Sequence, residues 1–288
     1  MIWLIGNKGM LGTEVETLLK NRGMEYVATD LEADITDMER LREFAADRPI
    51  SWIVNCSAYT AVDRAEEEPE KAFRINADGP RNIADLAKAK NAKLIHISTD
   101  YVFDGLKEGD YAEADPPNPV SVYGMSKHRG EINIAEIYHR YFIIRTAWLY
   151  GKHGPNFVAT MLRLFAERKE VRVVGDQFGS PTYAPDLAAA VLAIILSGSD
   201  SFGIYHFSNE GRISWFDFAR EIYRIAMEKG LVTREVALVE ITTKDYLTKA
   251  SRPKNACLSK EKIRSTFNIP VRTWQEALDE YLEMGSNL

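Results

Sequence analysis

Tyr123 and Lys127 stand four residues apart, a spacing that puts both side chains on one face of a helix, a single turn from each other. A phenol with an ordinary pKa of about 10 and an ammonium of about 10.4 are poor acid–base groups at neutral pH when alone. Side by side, the ammonium favours the phenolate and is expected to draw the tyrosine toward the range useful for proton transfer. The pair follows the run Ser98-Thr99-Asp100-Tyr101-Val102-Phe103, which places Thr99 at the end of a strand-like stretch upstream of the tyrosine.

A second cluster of chemistry-bearing residues lies near the start, in Gly6-Asn7-Lys8-Gly9-Met10-Leu11-Gly12. Glycines at this spacing between a strand and a helix serve a tight exit from the strand, a close backbone approach to a pyrophosphate and a close helix–strand contact. The helix N-terminus then faces the anion. Asp30, at the end of the second apolar stretch, is placed either to accept hydrogen bonds from ribose hydroxyls or simply to close a surface turn. No arginine follows Asp30 to meet a 2′-phosphate, which favours NADH, while Lys8 could partly meet one, which leaves NADPH open.

Elements to position these residues can be read from the apolar pattern. Short strands are predicted at 2–5, 26–29, 52–55, 93–97 and 141–145, and helices at 10–21, 63–75, 80–89 and 122–138. Thr36-Asp37-Met38-Glu39 reads as a capping box with Thr36 as the cap of a helix to about residue 46. Strand and helix alternate, so the predicted architecture is an α/β fold with a doubly wound, Rossmann-like parallel sheet. Beyond Gly151 the pattern loosens, with helices at 156–168 and 185–196, strands at 171–174 and 204–207, and capped helix starts at Ser214 and Thr273. The expected division is a dinucleotide-binding domain over 1–150 and a smaller mixed substrate lobe over 151–288, with segments near 171–208 returning to the first domain.

Composition bounds the partners. With 45% hydrophobic and 27% charged residues, the 288-residue chain is of ordinary globular type, and no run is long enough for a membrane span. A net charge of −6 argues against a nucleic-acid partner but not against a small phosphorylated ligand held by a local cluster of donors. The start runs into a strand without a basic leader, so cytoplasmic residence is expected. Cys56 sits in an apolar run and is expected to be a buried structural thiol; with Cys257 as the other cysteine, no disulfide framework is indicated.

The glycine loop, Ala58-Tyr59-Thr60-Ala61-Val62-Asp63, Asn76, residues 98–103, Tyr123 to Lys127, Arg145-Thr146-Ala147-Trp148-Leu149-Tyr150, residues 176–182 and Ser251-Arg252-Pro253 occur in the order seen in one family. Together they span nearly the whole chain. The sequence resembles the dTDP-4-dehydrorhamnose reductase family of extended short-chain dehydrogenases/reductases. That resemblance implies NADPH- or NADH-dependent reduction of the C4 keto group of a dTDP-linked 4-keto-6-deoxysugar. It assigns Tyr123 as proton donor, Lys127 as its electrostatic partner and ribose ligand, and Thr99 as a hydrogen-bond donor to the carbonyl oxygen. Cofactor contacts are implied for Gly6, Lys8, Gly9, Met10, Leu11, Gly12, Asp30, Asp34, Ile35, Ala58, Tyr59 and Thr60. Substrate contacts are implied for Thr99, Asp100, Trp148, Asn156 and Arg252, the last being open between a pyrophosphate ligand and an arginine that caps a loop.

Some members of that family are magnesium-bridged dimers, which makes a homodimer and a bridging Mg2+ conceivable here. Glu14 lies near one such position, but Asp186 stands where a longer glutamate is expected, so the sequence does not support the ion. Two other readings stay open. A sugar-nucleotide epimerase or dehydratase shares the fold, although dehydratases carry Glu where this chain has Tyr101 after Thr-Asp. A non-catalytic subunit resembling the methionine adenosyltransferase β subunit is the other, against which Thr99, Tyr123 and Lys127 speak.

Overall fold

The structure, a computed structural model, describes residues 1–285. Six parallel strands form the central sheet: β1 (Ile2–Ile5), β2 (Tyr26–Thr29), β3 (Trp52–Asn55), β4 (Lys93–Thr99), β5 (Tyr141–Thr146) and β6 (Gly203–His206), in the order β2-β1-β3-β4-β5-β6. Because the pleat alternates, β1 is apolar on both sides. Ile2 and Leu4 pack with Val15 and Leu19 of α1 (Met10–Asn21), while Trp3 and Ile5 join Leu41 of α2 (Met38–Ala45) and Ile83 of α3 (Gly79–Lys90). Trp3, Leu4 and Ile5 are completely buried, each worth roughly 1.5–3 kcal/mol or more relative to exposure. This first core also receives α4 (Val122–Ile137), through Ile134, on the α2 and α3 side.

The second lobe is built around α5 (Phe157–Glu167), α7 (Trp215–Glu228) and α8 (Trp274–Gly285), with Phe165, Phe218, Ile222 and Trp274 in its own core. Between α5 and α7 lies α6 (Ala184–Ser197), which packs on α1 against the central sheet and leads into β6. The strand Glu170–Val174 stays in the second lobe, paired in parallel with Ala237–Ile241. Of the span 171–208, then, α6 and β6 lie against the first core and the first strand does not. No helix among the described residues is long and apolar enough to cross a membrane.

Two local expectations are overturned. Asp37, not Thr36, caps α2: its carboxylate accepts from the amides of Glu39 and Arg40, while the Thr36 hydroxyl donates to Asp34. A carboxylate is the stronger acceptor and also complements the positive end of the helix. The single helix predicted over 63–75 is broken into Val62–Ala65 and Pro69–Phe73, followed by a widened turn at Arg74–Asp78. Pro69 starts its own short helix because it has no amide hydrogen to continue the preceding one. Ser214 and Thr273 do cap as expected, Thr273 and Glu276 exchanging hydrogen bonds in both directions.

Candidate active site

The chain leaves β1 toward β2 and then crosses to β3 on the other side, so the loops after β1 and β3 part at the carboxyl edge of the sheet. Open α/β sheets bind ligands at such a switch point. A cavity of about 280 Å³ opens there, lined by Gly6 and Gly9, by Asp30, Asp34 and Ile35, and by Ala58. Leu31, Ala33, Thr36, Cys56, Ser57, Arg74 and Ile75 complete it, none of which the sequence had marked as a cofactor contact. Cys56 is thus not simply a core thiol; it borders this cavity, and burial pushes its pKa up to about 12.

The glycine loop fits a dinucleotide. Gly6 has φ +82°, and a Cβ on Gly12 would lie 2.0 Å from the Gly6 carbonyl oxygen, so neither position accepts a side chain. The N-cap of α1 is Gly9, with no side chain capping it and no acidic residue in the first turn. Those first-turn amides are therefore open to an anion. Met10 and Leu11 contribute backbone to this turn, with the Leu11 side chain in the core and the Met10 side chain beside Gly151. Lys8 is exposed and lies 3.5 Å from Glu32. The Asp34 carboxylate accepts from the Thr36 amide and hydroxyl, and the Ile35 carbonyl accepts from Asn82.

Past β3, Asn76 holds the Ala58–Thr60 segment in place: its side chain accepts from the Tyr59 amide and donates to the Tyr59 carbonyl and to Ser126 of α4. The Tyr59 ring turns away, its hydroxyl donating to Glu68, and Thr60 is exposed. Of these three residues only Ala58 lines the cavity.

Ser121 caps α4 by accepting from the Gly124 amide, which fixes Tyr123 in the first turn and Lys127 in the second. Tyr123, Lys127, Thr99 and Asp100 are all buried. Thr99 ends β4; its hydroxyl donates to Asp100 Oδ1 at 2.8 Å and accepts from the Tyr101 amide at 3.2 Å. Asp100 Oδ2 is buried with no partner, and burial pushes the Asp100 carboxyl up to about 7. Tyr101 meets Tyr123 edge to face, with ring centroids 5.4 Å apart.

The tyrosine does not titrate as the pairing alone suggests. Burial, partly offset by Thr99 and reinforced by Asp100, holds Tyr123 above its ordinary value, whereas burial lowers Lys127 to about 8. Lys127 Nζ donates one of its hydrogens to the Ile97 carbonyl at 2.7 Å, and its charge does not offset the burial of the phenol. Below this layer, Arg145 of β5 donates two hydrogen bonds to Glu131 of α4, which also accepts from Ser98. Burial opposes ionisation of Glu131, but the bonds from Arg145 and its neighbours outweigh it and hold the carboxyl at about 2.

Trp148 has φ +47°, an uncommon and costly conformation for a bulky side chain. Its indole stacks on Trp215 with ring centroids 3.4 Å apart and covers Gly179, where a Cβ would lie 2.5 Å from the ring. The remaining two substrate expectations are engaged inside the protein. Asn156 caps α5, accepting from the Ala159 amide and donating to the Gly151 carbonyl. Arg252 grips both oxygens of Asp63, at 3.1 and 2.6 Å, and donates to the Ala250 carbonyl, as a loop-capping arginine would. Asp186 is likewise occupied by Arg272 and Asn209, and no group of three or more potential metal ligands occurs among the described residues.

A family model described as the RmlD substrate binding domain matches residues 1–286. The chain belongs to this family. Among its relatives, a dTDP-4-dehydrorhamnose reductase of Aggregatibacter actinomycetemcomitans is 40% identical over 281 residues, 96% of either chain. One from Streptomyces griseus is 41% identical over 285 residues, covering 96% of this chain and 92% of that one. The crystal structure of dTDP-4-dehydrorhamnose reductase from Bacillus anthracis in complex with NADP superposes with a TM-score of 0.91 at 37% identity, covering 98% of each chain. For this member of the RmlD family, then, the fold matches that of a solved relative over nearly the whole chain.

Proposed function

We propose that the chain reduces the C4 keto group of a dTDP-4-keto-6-deoxysugar with NADPH or NADH, converting dTDP-4-dehydrorhamnose to dTDP-L-rhamnose. The observation that carries this reading is the meeting of Thr99, Asp100, Tyr123 and Lys127 at the end of β4, on a sheet edge that also holds a glycine groove with open helix amides. Bound in that groove, a reduced nicotinamide supplies the hydride. Every other part of the reaction falls to side chains of the protein.

Burial keeps the Tyr123 phenol protonated at neutral pH, which is what a proton donor in the reducing direction requires. Its proton passes to the substrate oxygen as negative charge develops there. Lys127 supplies a cation one helical turn away, for the phenolate that remains and for the ribose hydroxyls. Thr99 has one hydrogen to give, and in the structure it goes to Asp100. Protonation of Asp100 reverses that bond and frees the Thr99 hydrogen for the carbonyl oxygen; a carboxyl near 7 makes this form accessible. The Trp148 indole, braced on Trp215, offers an apolar wall for the sugar.

In this reading residues 1–150 hold the cofactor, residues 151–288 mainly hold the sugar nucleotide, and the enzyme is a cytoplasmic homodimer. The deciding experiment mixes the purified chain with NADPH and dTDP-4-dehydrorhamnose, follows loss of NADPH and identifies the sugar. Formation of dTDP-L-rhamnose is expected. Tightly retained NAD with no net NADPH loss, accompanied by an epimerised or dehydrated sugar, overturns the reading.

A further inference from the structure

Beneath Lys127 lies a buried polar pair that the reaction above does not use. Asn55 ends β3 and His96 lies on β4, directly opposite it in the sheet, and both are fully buried. Asn55 Oδ1 accepts from the Ser57 amide at 3.0 Å. This fixes which end of the amide faces the imidazole: Nδ2 lies 3.0 Å from His96 Nδ1. An amide nitrogen has hydrogens to give and no lone pair to receive one, so Nδ1 must be the unprotonated nitrogen. Turning the amide round would set Nδ2 against the Ser57 N–H and leave two donors facing each other there.

His96 is neutral, because burial first and Lys127 second hold its pKa well below the ordinary value. A neutral imidazole with a free Nδ1 carries its hydrogen on Nε2. That nitrogen is 3.4 Å from Lys127 Nζ. An ammonium at this position meets an N–H donor, whereas an amine offers it a lone pair.

We infer that Asn55 and His96 are a positioning pair for the catalytic lysine: Asn55 locks His96 as the Nε2–H tautomer, and that N–H, directed at Lys127 Nζ, disfavours the ammonium. The other groups around Lys127 leave this effect standing. From the end of β3 the Cys56 thiol is neutral, held up to about 12 by burial. On α4 itself Tyr123 is neutral, and Glu131, the anion that favours the ammonium, is already paired with Arg145 of β5. From β4 the lysine receives the Ile97 carbonyl, which accepts from either form. Burial already lowers Lys127 to about 8, and the opposed donor acts in the same direction. The ammonium is the form that donates to a nicotinamide ribose, so this inference rests on the reductase reading, and it makes cofactor affinity fall on the alkaline side.

The test uses the full chain without sugar, so its outcome is independent of whether the sugar is reduced. Long-range ¹H–¹⁵N correlation of ¹⁵N-histidine protein, with His96 assigned by its loss in His96→Gln, is expected to show a neutral Nε2–H tautomer. NADPH dissociation constants measured between pH 7 and 10 are expected to rise above about pH 8 in the parent. Asn55→Asp gives Nδ1 an acceptor, so the imidazole reverses and Nε2 accepts from the ammonium. His96→Gln removes the opposed N–H without adding a charge. Both variants should move the alkaline midpoint upward by about one pH unit, a tenfold change in proton affinity. An Nδ1–H or doubly protonated His96 in the parent overturns the inference, as does an unmoved midpoint in both variants when they are folded. Should neither variant fold, the tautomer in the parent decides.

Discussion

The two halves of the molecule use their residues in different ways. In the half that carries the glycine loop, the candidate binding features are mostly backbone: open amides at the start of α1, a glycine turn that admits no Cβ, and loops parted by the strand order. In the second lobe and at its junction, the side chains expected to touch substrate are first of all structural. Asn156 caps α5, Arg252 is clamped to Asp63, and Trp148 is braced in a strained conformation on Trp215. Motif spacing reveals the first kind of site because spacing dictates backbone geometry. It reveals the second kind poorly, because a polar side chain can serve a helix end or a neighbouring carboxylate as readily as a ligand.

The largest effect should come in the first half, at the end of β4. Tyr123→Phe keeps the ring and its edge contact with Tyr101 and removes only the hydroxyl. General acid–base groups contribute about 10²–10⁴-fold, so kcat should fall by that order while the NADPH dissociation constant stays within about threefold. A folded variant retaining nearly full rate would move the proton donor elsewhere and dissolve the distinction between the catalytic edge and its surroundings.

A stability measurement sharpens the contrast from below. Glu131 and Arg145 are buried and doubly hydrogen-bonded, so removing one charge strands the other; Glu131→Gln should cost about 3–5 kcal/mol in denaturant unfolding. The acid dependence has a fixed sign. With the folded carboxyl at about 2 against 4.5 as the reference, Glu131 contributes stability above pH 4.5 that disappears as pH falls toward 2. That contribution is about 3 kcal/mol, and the parent should lose it between pH 5 and 2 while the glutamine variant does not.

How much could be read in advance follows from the same contrast. Strands buried on both faces, such as Ile2–Ile5 and Trp52–Asn55, stand out as apolar runs, and the alternation with helices fixes a doubly wound sheet. Asn55 and His96 were lost inside such runs, since nothing in a strand pattern separates a buried polar pair from core. The Arg74 and Ile75 wall of the cavity beside the glycine loop depends on the widened turn at Arg74–Asp78, which the regular 3.6-residue period over 63–75 conceals. Thr36 matches the capping motif in sequence, yet the neighbouring Asp37 is the better acceptor and takes the cap. The glycine loop, Thr99, Tyr123 and Lys127 were legible because their spacing is itself the geometry.

A smaller effect belongs to cofactor choice. Asp30 lines the cavity near the exposed Lys8–Glu32 pair, where a carboxylate accepts from ribose hydroxyls and repels a 2′-phosphate. The parent should use NADPH and NADH within about tenfold of each other, or about 1.4 kcal/mol. Asp30→Ala should shift the ratio of the two kcat/KM values toward NADPH by up to a similar factor. An unchanged ratio would take Asp30 away from the ribose and weaken the claim that this half is set mainly by position along the backbone.

The smallest effect tests the second half of the comparison at Arg252. In the structure its guanidinium gives both arms to Asp63 and another bond to the Ala250 carbonyl, so an incoming pyrophosphate would have to take it from an existing partner. The pair is partly exposed, and such ion pairs contribute only about 0.2–1 kcal/mol. If Arg252 serves the loop, Arg252→Met and Asp63→Asn break the same contact. They should then raise the sugar-nucleotide KM by similar factors of about two to five, and the double variant should be no worse than either single one. If Arg252 instead leaves Asp63 to bind phosphate, the two variants diverge: Arg252→Met raises KM well beyond tenfold, while Asp63→Asn frees the guanidinium and lowers it. Steady-state KM values for the four proteins with NADPH held saturating separate the outcomes. A diverging pair would make Arg252 a ligand stored on an internal partner, and the boundary between structural and binding side chains in the second lobe would then be a matter of whether substrate is present.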